Sequence, residues 1–156
     1  MFRKLNDEFA RAHSYLLRLL NLRPRSTYEA KTRLQARGFS SEIIEKLIAY
    51  AEVGGLLDDE AFARLWIEER KIAKPKGRFA LEQELRAKGI DPDIIARSLK
   101  DATANEELIA HQLAKDRLAR YAKETPENRQ RKLGLFLRRR GFSLEIIAKV
   151  LKALDD

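Results

Sequence analysis

The sequence contains no cysteine, which excludes both a disulfide framework and a thiolate metal site. Histidine is scarce: only His13 and His111 occur, and neither has a second histidine at H-x-x-x-H spacing, so no metal ligand set is legible. No apolar run approaches the ~20 residues of a membrane-spanning helix. The opening MFRKLNDEFARAH lacks the apolar core of a signal peptide. These absences predict a soluble, cytoplasmic chain with no metal and no cofactor.

Catalytic signatures are missing as well. No P-loop, G-x-G-x-x-G, G-x-S-x-G or H-E-x-x-H occurs. The acidic pair Asp58–Asp59 could in principle hold a metal or act as acid and base. It stands after Gly54-Gly55 and before Phe62, Leu65 and Trp66, where a helix must start. An N-cap followed by first-turn anions accounts for it. Trp66 and the scattered tyrosines fall on helical spacings with leucines and read as packing residues. The expectation is a protein that is not an enzyme.

What the chain has in quantity is charge. Charged residues make up 36% of its 156 positions, and the formal net charge is +8. An excess of that sign points to an acidic partner, most often nucleic acid. It is unevenly spread, at +4 over residues 1–57, zero over 58–104 and +4 over 105–156.

Those three segments are repeats. "ARGFSSEII" (36–44), "AKGIDPDII" (87–95) and "RRGFSLEII" (139–147) align, with Gly38, Gly89 and Gly141 spaced by 51 and 52 residues. Upstream, Pro24, Pro75 and Pro126 are 51 apart, as are Ala12, Ala63 and Ala114, and Leu16, Ile67 and Leu118. Each copy reads as three helices. The glycine ends the second helix in a left-handed turn that a Cβ would disfavour. Ser40, Asp91 and Ser143 then offer side-chain oxygens as N-caps for the third helix. Ser26 with Glu29 forms a capping box at the second helix of copy one, Gly77 replaces that serine in copy two, and Thr125-Pro126 serves copy three. Leu5, Phe9, Ala12, Leu16 and Leu19 make an amphipathic stripe on the first helix. The predicted class is all-α: an elongated, curved tandem array of three three-helix repeats, at 1–57, 58–104 and 105–156.

Basic residues recur at the junction between first and second helices. "RKIAKPKGR" holds Arg70, Lys71, Lys74, Lys76 and Arg78 with no acid, and "NLRPRS" holds Arg23 and Arg25. The third junction, "KETPEN", is acidic at Glu124 and Glu127. Copy three carries its charge later, in Arg129, Arg131, Lys132 and Arg138 to Arg140. The second helices add Lys31, Arg33, Arg37, Arg86 and Lys88. A charge run is often only a solvated helix face. Recurrence at equivalent places, however, puts such residues along one side of an array, where they could track a phosphate backbone or an acidic protein groove. No base-reading code is visible.

The residues Arg23-Pro24-Arg25-Ser26, "GLLDDEAFAR" (55–64), "KPKG" and "LEQELRAKGI" (81–90) resemble the RecX family, bacterial regulators of the recombinase RecA. The match runs over most of the chain, with copy three the least distinctive. The resemblance implies a non-enzymatic monomer whose partner is the RecA filament, including the single-stranded DNA within it. Such a protein lodges in the filament groove and suppresses strand exchange, ATP hydrolysis and co-protease activity. On that view the contact candidates are Arg23, Arg25, Lys71, Lys74, Lys76 and Arg78, with Arg138, Arg139 and Arg140 as a second cluster. Two rivals remain on the residues alone: a nucleic-acid-binding helical module acting without RecA, and a helical scaffold for another protein.

Overall fold

The computed structural model describes residues 1–102 and 104–155. Among them there are nine α-helices and no strand: α1 (Phe2–Leu22), α2 (Thr27–Ala36), α3 (Ser41–Val53), α4 (Asp59–Ala73), α5 (Arg78–Ala87), α6 (Pro92–Ala102), α7 (Glu106–Leu118), α8 (Pro126–Arg139) and α9 (Leu144–Asp155). A short 3₁₀ turn over Ala119–Tyr121 follows α7.

Local chemistry sets most helix ends. Ser26, Asp58 and Thr125 accept the amides of Glu29, Ala61 and Asn128 at 3.1, 3.0 and 3.3 Å, so the first turns of α2, α4 and α8 have their caps. Asp91 accepts from Asp93 N at 2.9 Å, and Ser143 from Ile146 N at 3.2 Å. Ser40 departs from expectation: its side chain makes no cap bond. Its backbone amide instead donates to Glu8 of α1 at 2.7 Å, which ties the turn to the first helix. The capping box at Ser26 is also one-sided, because the Glu29 carboxylate is taken by Arg23 and Lys88.

Each repeat encloses its own hydrophobic cluster. Ala12, Leu16, Leu34, Ile44 and Leu47 are central to the first. Phe62, Ile67, Leu85 and Leu99 form the second, and Leu133, Leu137, Phe142 and Val150 the third. Leu5 and Phe9 extend the predicted α1 stripe as half-buried residues packed on the first cluster. Helix pairs in broad contact all lie within one repeat. The chain therefore exposes 10380 Å², against about 8,100 Å² for a compact chain of 18.0 kDa. That excess is the signature of an extended array.

The repeats meet at two joints of the same design. At the first, the start of α2 sits on the turn after α5. Fully buried Ser26 donates to Lys88 O at 2.7 Å, and Thr27 N donates to Asp59 Oδ1 at 2.8 Å. A Cβ on Gly89 would lie 2.4 Å from the Tyr28 Cβ. At the second, the start of α5 sits on the turn after α8. Gly77 N donates to Arg140 O at 2.6 Å, Phe79 N to Gly141 O at 3.1 Å, and Arg78 N to Glu106 Oε1 at 2.8 Å. Here a Cβ on Gly77 would stand 2.5 Å from the Gly141 carbonyl. That approach explains why glycine replaces serine in copy two: there is no room for a side chain.

Candidate functional site

The junction cations are mostly engaged within the fold. Arg23 leaves the end of α1 and bonds Glu29 at 3.0 Å and Pro24 O at 3.0 Å. Lys71 pairs with Glu68 one turn away on α4 at 2.9 Å. Lys76 reaches the Glu84 carboxylate on α5. Glu84 also accepts from Trp66 Nε1 at 2.9 Å and Arg70 Nε at 3.1 Å. Arg140 caps α8, donates to Pro75 O at 2.9 Å and lies 5.1 Å from the Phe136 ring. Four of the nine expected contact residues thus already hold partners inside the chain.

Burial and charge act against each other at the two carboxylates. Burial pushes Glu29 and Glu84 up, but hydrogen bonds from Arg23 and Lys88 on the one, and from Lys76 and Trp66 on the other, bring both below the usual carboxylate range. Trp66 is a packing residue as expected, stacked on Phe62 at 5.9 Å. Arg70 lies 4.4 Å and Lys88 5.1 Å from its ring centre, a cation–π arrangement. The acidic third junction uses the same device with the signs exchanged. Glu124 is met by Lys132 of α8, and Arg129 donates to Tyr121 O and Glu124 O at 3.4 Å each.

Lys74, Arg78, Arg138 and Arg139 are exposed and lack an ion pair among the described residues. Lys74 caps α4, Arg78 opens α5, and Arg138 and Arg139 occupy the last turn of α8. Arg25 is different again. It is only 9% exposed, and its Nε has no hydrogen-bond partner. Burial, followed by the charge of Arg23, holds its guanidinium below the ordinary arginine value.

A further set went unread in the sequence. Arg11, Ser14, Tyr15 and Arg18 line one depression of α1 together with Glu8 and with Arg37, the C-cap of α2. Arg37 lies 5.3 Å and Arg18 6.0 Å from the Tyr15 ring centre. The i, i+3, i+4, i+7 spacing of the α1 residues could have found them, since it places all four on one stripe beside the apolar one. Asp59 was read as a first-turn anion of its own helix; its acceptance of Thr27 N across the joint could not be seen without the fold.

Among the described residues, no three metal-ligating side chains converge and no helix is long and apolar enough to cross a membrane. Comparison with known proteins matches all three repeats. Models of the first, second and third three-helix domains of RecX fit residues 12–50, 58–99 and 106–151. The chain is 37% identical over 143 residues to the regulatory protein RecX of Pelodictyon phaeoclathratiforme, covering 92% of this chain and 88% of that protein. It is 36% identical over 145 residues to the regulatory protein RecX of Mycobacterium sp. strain KMS, covering 90% and 79%. In fold it superposes on the crystal structure of RecX from Lactobacillus salivarius with a TM-score of 0.89, at 24% identity and covering 96% and 98% of the two chains. With three repeats in order and relatives matched over most of their length, this chain belongs to the RecX family of regulatory proteins.

Proposed function

We propose that the protein is a non-catalytic inhibitor of RecA that lies in the groove of the RecA–single-stranded DNA filament. There it suppresses strand exchange, ATP hydrolysis and co-protease activity. The observation that carries this reading is the ordered match of all three repeats to RecX domains. An extended array suits a long groove, and cations at both later repeats suit an acidic wall. Arg25, Lys74, Arg78, Arg138 and Arg139 are the proposed filament contacts. Arg23, Lys71, Lys76 and Arg140 serve the fold first and reach the filament only if their internal partners release them.

The test is RecA's DNA-dependent ATPase with purified protein titrated in. Inhibition below one protein per RecA subunit is expected. Lys74→Glu with Arg78→Glu should relieve it while the melting temperature stays within a few degrees of wild type, since surface changes of this kind cost about 0.5 kcal/mol or less. Unchanged ATPase and strand exchange at saturating wild-type protein would sink the reading.

A further inference from the structure

Both joints follow one rule: the start of the second helix in one repeat sits on the hinge turn of the next. Three repeats supply three such starts and three such turns, but only two joints. The turn after α2 and the start of α8 are left over. That turn is open, with no atom within 4 Å of where a Cβ on Gly38 would stand.

The repeat register identifies the surface beside it. At the first joint, Arg23 and Pro24 face Phe62, Leu65, Trp66 and Glu69 of α4 across a crevice of about 80 Å³. Subtracting the 51-residue period from 62, 65, 66 and 69 gives 11, 14, 15 and 18. Those positions are Arg11, Ser14, Tyr15 and Arg18, which with Arg37 and Gly38 line a depression of about 470 Å³. The same seat is thus covered in repeat two and uncovered in repeat one.

The backbone groups correspond as well. At the second joint the N-cap amide of Gly77 donates to Arg140 O, and the N2 amide of Phe79 donates to Gly141 O. In the uncovered seat the matching carbonyls are those of Arg37 and Gly38, and neither accepts a hydrogen bond among the described residues. At the leftover start the matching amides are those of Thr125 and Glu127, and neither donates one. Position N1 agrees too. Thr27 N and Arg78 N each donate to an acid across their joints. Pro126, at N1 of α8, has no N–H to donate. Glu8, which stands where Asp59 does (59 − 51 = 8), already accepts from Ser40 N at 2.7 Å.

Charge favours bringing these two surfaces together. Residues 21–26 and 72–77 each carry two cations and no acid around their proline, whereas 123–128 carry Glu124 and Glu127 against Lys123. Glu124 is met by Lys132, but exposed Glu127 has no ion pair among the described residues. Nor has exposed Arg37, in the seat. At the first joint, Glu29 of the incoming helix start pairs with Lys88, the residue in Arg37's register (88 − 51 = 37). In addition, α8 has 14 residues against 10 in α2 and α5. Four more residues extend its start about 6 Å further, where a neighbour meets it first.

We propose that a second copy of this chain covers the seat: its α8 start sits on the turn at Gly38 and makes a third joint, between chains. Thr125 N donates to Arg37 O, Glu127 N to Gly38 O, and the Glu127 carboxylate pairs with Arg37. Such a contact is heterologous, so copies join head to tail and continue the array. One joint is a small interface of the transient class, and a Kd on the order of 100 µM is expected. The proposal rests on the joints and is independent of the RecA reading.

Sedimentation of the full chain alone, with neither RecA nor nucleic acid, tests it. The weight-average mass should be that of one chain at about 10 µM and should rise toward about 1 mM. Arg37→Glu and Glu127→Arg should each weaken association about tenfold, because each turns an exposed attraction into a repulsion. The two substitutions in one chain exchange the signs and keep the wild-type net charge, so association should return. Melting temperatures within a few degrees of wild type verify that all three variants fold. A chain that stays single up to about 1 mM overturns the proposal. So does association that neither substitution weakens, or that the folded double variant fails to recover. A single chain whose Arg37→Glu variant no longer inhibits RecA ATPase would assign the seat to RecA, and the proposal also fails. Wild-type ATPase inhibition, measured separately, bears on the RecA reading alone.

Discussion

Glu84 gathers Lys76, Arg70 and Trp66 onto one half-buried carboxylate, and Glu29 gathers Arg23 and Lys88. Residues read from the sequence as free contact charges thus contribute to stability. Both carboxylates titrate below their ordinary range, so each contributes stability that is complete above the unfolded value of about 4.3 and is lost as pH falls through the folded value. Glu84→Gln should destabilise the protein by about 1–2 kcal/mol at neutral pH, since it removes hydrogen bonds to a charged acceptor. Thermal melts from pH 7 down to pH 3 should show the gap between variant and wild type closing below the ordinary carboxylate range. A gap that is constant across that range would mean the glutamate acts by packing alone.

At the scale of the helix and its turn, the three hinge glycines look interchangeable in sequence, but they do different work. All adopt positive φ, at +91, +72 and +90° for Gly38, Gly89 and Gly141. Around Gly38 there is open space, whereas a Cβ on Gly141 would lie 2.4 Å from Ala80 of the preceding repeat. Gly38→Ala should therefore cost only the left-handed backbone penalty, about 1–2 kcal/mol. Gly141→Ala adds a clash across the joint and should cost roughly 2–4 kcal/mol. Chemical denaturation of the two variants measures the difference directly, and equal losses would refute the joint as a close-packed contact. The helix boundaries were legible because capping and turn chemistry are local. The missing Ser40 cap bond was not, because Glu8 reaches that turn from α1, over thirty residues upstream.

For the whole molecule, the 51-residue period announced a repeat array, and family models fit each unit in order. Its extension has a direct measure. A compact chain of this length has a radius of gyration of about 15 Å. Small-angle scattering should give a clearly larger value for a single chain, given the extra exposed surface. Tight joints further predict a single cooperative unfolding transition in the wild type, because each joint couples one repeat's helix start to the next repeat's turn.

Sequence alone determined the class, the repeat and most helix ends, since helix periodicity, caps and glycine turns depend on neighbours within a few residues. It also narrowed the chemistry, through the missing cysteines and catalytic motifs. Which cations are free was decided only by the tertiary structure. A carboxylate eight residues away, such as Glu84 for Lys76, or nearly sixty away, such as Glu29 for Lys88, cancels a charge only when packing brings the two together. The same packing sets Arg18 and Arg37 against the Tyr15 ring, with no ion pair for either among the described residues. Composition counts charges; the fold pairs them, and those left unpaired are the ones available to a partner.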